Sequence, residues 1–362
     1  MKPTKKKYSN FKEIGYGLQS LFWKQHSRLL IRGDSAAWSL MWDAIELDKI
    51  CRQIGIKSLV TRKNLAFRNQ SVFYVDRRRI LKEWQKKTHR VAFPYYHGNP
   101  HKDNESKDML KTLSRHHSEI DRIQVTNSFM EEHILNTGID PNKIFRIPIG
   151  VNLSLFEQFT QENKAAIRLK LDIPESAVVI GSFQKDGNGW KEGLIPKLIK
   201  GPDIFLETIR ILKDSIPELF VLLTGPARGY VKKGLEEIGI PYKHIVLDDY
   251  TKIGLYYSAL DLYIISSRDE GGPKALLESM ASGIPVVSTK VGQATDLITH
   301  EINGCLAKVE ASEELAHHAQ RILQDNDMKI RLVKNGFRTA QENAYSNQSL
   351  LWKNFFNGFV NF

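Results

Sequence analysis

Two hydrophobic periods alternate along this chain. Runs such as VVIGS (178–182), LFVLLT (219–224), DLYIIS (261–266) and IPVVS (284–288) are apolar at successive positions and rich in β-branched residues. That is the pattern of short strands buried on both faces. His244–Leu247 continues the set, and Arg28–Ile31, Ser71–Val75, Arg90–Phe93 and Arg122–Val125 are its counterparts in the first half. Segments with helical apolar spacing lie between them: Ser39–Ile54, stopped by Gly55, then Gly201–Ser215, Tyr230–Ile238, Lys252–Ala259 and Pro273–Ser282. Strand and helix in alternation predict α/β architecture, here two consecutive doubly wound parallel sheets. The hinge between them is expected at Ile147–Gln158, followed by a polar helix and the turn LDIPES. From Ser312 onward the pattern is helical, and the last stretch, SLLWKNFFNGFVNF, is aromatic enough to need a surface to pack on.

Near the start, Asn10–Gln25 places Phe11, Ile14, Leu18, Leu21 and Phe22 at helical spacing among lysines. Two readings stay open: a basic amphipathic helix on a membrane surface, or a helix packed on the first domain's own core. Gly15 and Gly17 weaken the segment as a helix.

Composition sharpens this picture in three ways. A length of 362 residues is more than one core usually needs, so two domains are expected. No apolar run approaches the ~18 residues of a membrane span, and the basic N-terminal stretch has neither the apolar region nor the cleavage site of a signal peptide. A cytoplasmic location, peripheral on the membrane at most, is the expectation. The two cysteines, Cys51 and Cys305, have no metal or redox spacing and read as buried thiols. The net charge of +11 is uneven: residues 1–150 hold 28 Lys/Arg against 15 Asp/Glu, and the remainder 24 against 26. The first half is therefore expected to meet something anionic, or else its lysines only solvate it.

Candidate chemistry concentrates in SSRDEGGPKALLESMASGIPVVST, which starts at Ser266. Its first loop follows a strand and opens a helix, the place where doubly wound sheets bind ligands. Gly271 and Gly272 make the backbone N–H groups approachable to anionic or hydroxyl-rich ligands. Glu270 lies in the loop, and Glu278 one to two turns inside the helix. Two carboxylates so placed suit two hydroxyl-bearing rings. The plainer reading is a helix-start acid favoured by the macrodipole, with Glu278 pairing Lys274 on a solvated face.

The whole run resembles the donor-site signature of retaining GT-B glycosyltransferases of family 4, the group 1 glycosyl transferases. RIPIGVNLSLF, IGSFQK, LIKGPDIFLETIRIL, FVLLTGP, HIVLDDY and NGCLA match further family segments in the same order, over about residues 120–310. The resemblance implies a GT-B fold: two Rossmann-like domains facing across a cleft. Residues 1–155 would bind the acceptor and 156–340 a nucleotide-sugar, with a helix in 341–362 crossing back to the first domain. It implies that Glu278 binds ribose hydroxyls, that Glu270 holds the donor's hexose beside Gly271 and Gly272, and that Lys200 neutralises the pyrophosphate. The family's arginine after the strand glycine is Ser182 here, so Lys185 takes that role, across an insertion (DGNGWKEGLIPKLI) longer than usual. Arg228, in TGPARGY, is a further basic candidate or a surface residue. In the first domain, His97 matches the histidine at the sugar end of the site. Gly33, Ser35, Ala36 and Ala37 stand where many members have a glycine-rich loop.

The implied reaction moves a sugar from a nucleoside-diphosphate donor to a saccharide or lipid-linked acceptor with retention and without a metal, in bacterial cell-surface glycan synthesis. Asp325-Asn-Asp327, a triplet that binds metal in other glycosyltransferases, lacks an adjoining strand and reads as a helix cap. Two other readings remain: a basic nucleic-acid-binding or scaffold protein on a degenerate fold, and another activity on the same fold, an epimerase or phosphorylase. No nucleic-acid motif appears.

Overall fold

A computed structural model of the chain describes residues 23–33, 39–61, 68–78, 89–100, 104–156 and 160–362. Most of the amphipathic segment 10–25, and Ser35, Ala36 and Ala37, lie outside these. The chain divides into two units, Met1–Pro148 with Tyr345–Phe362, and Ile149–Ala344. Among the described residues no helix is long and apolar enough to cross a membrane.

Each unit is built on a six-stranded parallel sheet. In the first, β1 (Leu29–Arg32), β2 (Ser58–Thr61), β3 (Ser71–Tyr74), β4 (Arg90–Tyr95), β5 (Arg122–Val125) and β6 (Ile144–Arg146) lie in the order 2-1-3-4-5-6. In the second, β7 (Val178–Phe183), β8 (Leu219–Thr224), β9 (Tyr242–Ile245), β10 (Leu262–Ile265), β11 (Val286–Thr289) and β12 (Cys305–Ala307) lie in the order 12-11-10-7-8-9. The second order reverses direction between β7 and β10, which pair through Ile180–Leu262 and Gly181–Tyr263. A crevice forms outside the carboxyl ends of strands at such a switch point. The loops following β7 and β10 are therefore the ones that can build a site.

The aromatic tail explains itself in the first unit. Trp352, Phe355, Phe356 and Phe359 are buried in one core with Leu29, Ile31 and Phe73. The Phe73 ring meets Trp352 and Phe355 edge-on at 5.7 and 5.9 Å. Asn361 N–H and the Arg90 guanidinium then tie the tail's end to His26 and Phe359 carbonyls. The unit division falls at 148/149 and 344/345, where the sequence reading put it at 155/156 and 340/341. Val151 bridges Ala344, and Phe156 stacks edge-on against Tyr257, so both flanking segments belong to the second unit.

The polar helix after the hinge, Gln161–Lys170, is held by charge rather than by a wide apolar face. Arg168 is buried and donates to the Ala259 and Ala177 carbonyls and to Asp261 (2.7 Å). Asp261 also accepts from Val179 N–H (2.8 Å) and pairs with Lys164, so one carboxylate joins helix, β7 and the start of β10. Burial opposes its ionisation, but Lys164 and Arg168 prevail and hold its pKa below the ordinary carboxylate range. A depressed folded-state pKa gives stability that is complete above the unfolded value of about 3.9 and is lost as pH falls through the lower folded value. Asp261→Asn is expected to cost about 3 kcal/mol at neutral pH and to flatten the second unit's loss of stability below pH ~4. Urea titrations across pH measure both.

Candidate functional site

The site grows from a single close crossing. The segment Lys200-Gly201-Pro202 passes over the end of β10, with Gly201 at φ +61° capping the helix Pro202–Lys213. A Cβ on Gly201 would lie 1.9 Å from the Ser266 carbonyl oxygen. Only glycine permits this conformation at this distance, and Ser266 Oγ seals the crossing by donating to Gly201 O (2.8 Å). Pro202 supplies the fixed φ suited to a first helical residue.

The crossing sets Lys200 against the loop after β10. The Lys200 ammonium is ion-paired with Glu270 Oε1, which also accepts from Ser267 Oγ at 3.0 Å. The same loop is fixed from two further sides. Arg268 forks onto both carboxylate oxygens of Asp203 (2.8 and 2.7 Å), in the first turn of the helix that Gly201 caps. Its pKa is raised by that bond. Arg268 N–H and Asp269 N–H both donate to Ile199 O. Gly271 O receives Gln293 N–H at 3.0 Å, and a Cβ on Gly272 would meet Gln293 Oε1 at 2.6 Å. The smallness of Gly272 thus serves packing on the buried Gln293, whose side chain in turn bonds both backbone groups of Ile149. The sequence reading had assigned it to ligand approach alone.

Glu278 lies on the helix Lys274–Ala281 and is 6% exposed. Both of its oxygens are engaged, Oε1 by Tyr250 and Oε2 by Tyr257 (2.9 Å). This buried carboxylate held by two phenols is not on a solvated helix face. Burial, reinforced by the Glu278 charge, pushes the Tyr257 phenol well above its ordinary pKa, which keeps it a donor. Behind it Tyr263, Phe183 and Phe156 pack around Tyr257 with ring centroids 4.8 to 5.9 Å apart. Neither tyrosine, nor the Arg268–Asp203 fork, was singled out from sequence. The phenols lie 28 and 21 residues from Glu278, with no local periodicity to link them.

Lys185, Arg228 and His97 each have contacts of their own. The Lys185 ammonium sits 3.7 Å from the centre of the Trp190 ring. Arg228 is fully buried, pairing with an equally buried Asp186 (2.9 Å) and donating to Ser182 and Thr224 carbonyls and to Ser182 Oγ. It is an internal structural cation, correcting the expectation of a ligand or surface role. Its guanidinium reaches the residue, Ser182, that occupies the family's arginine position. His97, in the first unit, is exposed two residues beyond β4, and its carbonyl accepts from Arg77. Gly98 next to it packs so closely on Ser106 that a Cβ would overlap the hydroxyl.

The group most like a metal site among the described residues is His300, Glu301 and His318, with ligand atoms within 4.8 Å of one another. Its donor set is unsuited to a cation. Glu301 is taken by Arg321, and His300 Nδ1 accepts from Leu306 N–H, which leaves the proton on the nitrogen facing Glu301. Asp325 of the Asp-x-Asp triplet caps the helix Asn326–Glu342 through Met328 N–H (2.9 Å).

Residues 195–339, which contain Lys200, Glu270 and Glu278, match the family model described as glycosyl transferases group 1. Within the second unit, this stretch is similar to the group 1 glycosyl transferases. Among curated relatives, the putative teichuronic acid biosynthesis glycosyltransferase TuaC of Bacillus subtilis is 28% identical over 60% of this chain and 51% of its own length. The lipopolysaccharide core biosynthesis mannosyltransferase LpsB of Rhizobium meliloti is 27% identical over 40% of this chain and 44% of its own. The chain thus spans about half the length of the curated relatives it matches. Among solved structures, Anabaena HepE in complex with UDP-glucose covers 91% of this chain at TM-score 0.73 and 15% identity, the chain covering 99% of it. Sucrose-phosphate synthase of Thermosynechococcus elongatus covers 96% at TM-score 0.65 and 18% identity, with 92% of its own chain covered. These likenesses establish the two-sheet GT-B fold.

The geometry separates the second unit's cations by role. Arg228→Met leaves the Asp186 carboxylate buried without its counter-charge and is expected to destabilise the chain by about 3–5 kcal/mol. Lys185→Met, at a half-buried position, is expected to cost less than ~1 kcal/mol. Equilibrium urea unfolding of the two variants distinguishes them.

Proposed function

We propose that this protein is a retaining glycosyltransferase that moves a sugar from a nucleoside-diphosphate donor to a saccharide or lipid-linked acceptor, in the synthesis of bacterial cell-surface glycans. The observation that carries the donor half is the Lys200–Glu270 pair in the loop after β10, at the β7/β10 switch point, with Glu278 buried on the helix that this loop opens. Glu278, a carboxylate fixed by two phenols, is the acceptor this reading assigns to the ribose hydroxyls. Glu270, oriented by Lys200 and Ser267, takes the hexose hydroxyls. Charge builds on the departing diphosphate as the glycosidic bond breaks. Lys200 and the N-terminal amides of the helix Pro202–Lys213 are fixed positive groups suited to it. On this reading no metal is needed, since protein cations do its work. Retention of configuration, the acceptor's chemistry and the part played by His97 rest on the resemblance. The glycosyltransferase and polysaccharide-biosynthesis names of the relatives support the same reading.

Binding of UDP-, GDP- and ADP-sugars, and of the matching free diphosphates, tests the donor site by calorimetry. Glu278→Ala is expected to weaken sugar-nucleotide and free diphosphate alike, by about tenfold or more. Glu270→Ala is expected to weaken the sugar-nucleotide but to tighten the free diphosphate, because it removes the carboxylate that shares Lys200. Loss of the reading follows if wild type binds none of them, or if both variants bind as wild type does. Product analysis with and without an added acceptor separates a transferase from an epimerase or phosphorylase.

Metal dependence is a separate measurement. Transfer in excess EDTA is expected to retain most of its rate, while Lys200→Met is expected to lose at least ~100-fold in kcat. A rate abolished by EDTA and restored by a divalent cation would overturn the assignment of the phosphate's counter-charge to Lys200.

A further inference from the structure

The two phenols on Glu278 are anchored to very different degrees. Tyr257 closes the short helix Ile253–Tyr257 and is fully buried. Phe156, Phe183 and Tyr263 surround its ring with centroids 4.8 to 5.9 Å away. The helix is pinned as well, since a Cβ on Gly254 would lie 2.0 Å from the Leu155 carbonyl oxygen. A close-packed interior leaves this side chain no second position.

Tyr250 opens the single turn Tyr250–Lys252, just before that helix, and is half-buried. The bonds that shape the turn are local. Asp249 Oδ1 accepts from Thr251 N–H at 2.9 Å, and Asp249 O from Lys252 N–H at 3.2 Å. The segment leading into it follows β9, an edge strand, and exposes Val246, Asp248 and Asp249. The Tyr250 phenol can therefore turn away for little more than the loss of its own bond.

That difference matters because Glu278 is 6% exposed and has both oxygens engaged. A ligand hydroxyl that reaches this carboxylate takes a place already filled. A phenol and a ribose hydroxyl offer the same bond, one O–H directed at an anionic oxygen. One can replace the other without leaving a buried charge bare, which would be costly.

We propose that the Tyr250 phenol holds a ribose hydroxyl's place on Glu278 Oε1, and that a nucleotide binds by displacing it. The inference rests on the donor reading above and makes Tyr250 a specificity-determining residue. A nucleotide gains from Glu278 only when its ribose hydroxyls replace the phenol's bond, and one without them leaves Tyr250 where it is. The phenol's bond stabilises the free protein and is absent from the complex. Deleting it therefore raises affinity and lowers the free protein's stability by the same amount.

Tyr250→Phe keeps the ring, which packs against the second unit's core, and removes only the donor. Calorimetry of wild type and variant with UDP, GDP and ADP, and with their 2′,3′-dideoxy counterparts, tests the proposal. The variant is expected to bind the ribonucleotide about fivefold tighter or more, while the dideoxy compound binds both proteins alike. In thermal unfolding the free variant should melt below wild type, and saturating ribonucleotide should close the gap. Equal or weaker ribonucleotide binding by the variant would overturn the proposal, making Tyr250 a brace for Glu278 within the complex. So would an equal gain for the dideoxy compound, which places the effect outside the ribose. If wild type binds no ribonucleotide, the donor reading itself fails and this inference falls with it.

Discussion

The second unit's site depends on one steric fact: the chain at Gly201 lies against the Ser266 carbonyl, where no side chain fits. That contact fixes the start of the helix Pro202–Lys213 relative to the end of β10, and everything nearby takes its position from it. Lys200 precedes the glycine and is thereby delivered to Glu270. Asp203 follows it and receives the fork of Arg268, two residues before Glu270. The loop carrying Glu270 is therefore held on both sides of the crossing by opposite charges from one short segment. A site held this way is largely formed before any ligand arrives, which lowers the ordering cost of binding.

The strands of this unit were legible because they are buried on both faces and so read as unbroken apolar runs. Leu219–Thr224 matches to the residue, and β7 and β10 to within one at each end. Strands at the sheet edges were less visible. β12 is three residues long, β6 likewise, and β2 is only half-buried, so none carries enough apolar signal to stand out from a loop. β9 begins at Tyr242, two residues before the expected start, and Val246 beyond it is exposed. The expectation followed hydrophobicity, whereas pairing with Val221–Thr224 sets the strand. In the first unit the helices Asn104–Arg115 and Ser128–Leu135 were not picked out, being polar or short.

Within the site, the residues that the sequence brings forward as a group lie on one continuous segment or next to a proline and a glycine. Partners that arrive from elsewhere in the fold were not legible. Tyr250 and Tyr257 approach Glu278 from the segment before β10, and nothing in their own neighbourhood distinguishes them from core aromatics. Arg228 shows the converse error. A basic residue just past a strand end looks available for an anion, and its true partner, Asp186, sits in an insertion that has no expected geometry. The misreading has one cause: the insertion brings its own acid, and the arginine is spent on folding it.

The pairing of Lys200 with Glu270 bears on how such a site would work. A lysine committed to a carboxylate is a weaker counter-ion for a phosphate than a lysine alone, since the two anions share one cation. On the donor reading, diphosphate binding therefore opposes the free Glu270 charge unless that carboxylate is engaged elsewhere. The hexose hydroxyls provide that engagement, since their hydrogen bonds spread the Glu270 charge as the phosphate approaches Lys200. Sugar and diphosphate would then bind cooperatively through one ion pair, and a diphosphate without its sugar would meet the full repulsion. After transfer the sugar leaves Glu270, the repulsion returns, and release of the spent nucleotide is favoured by the same pair that held the donor.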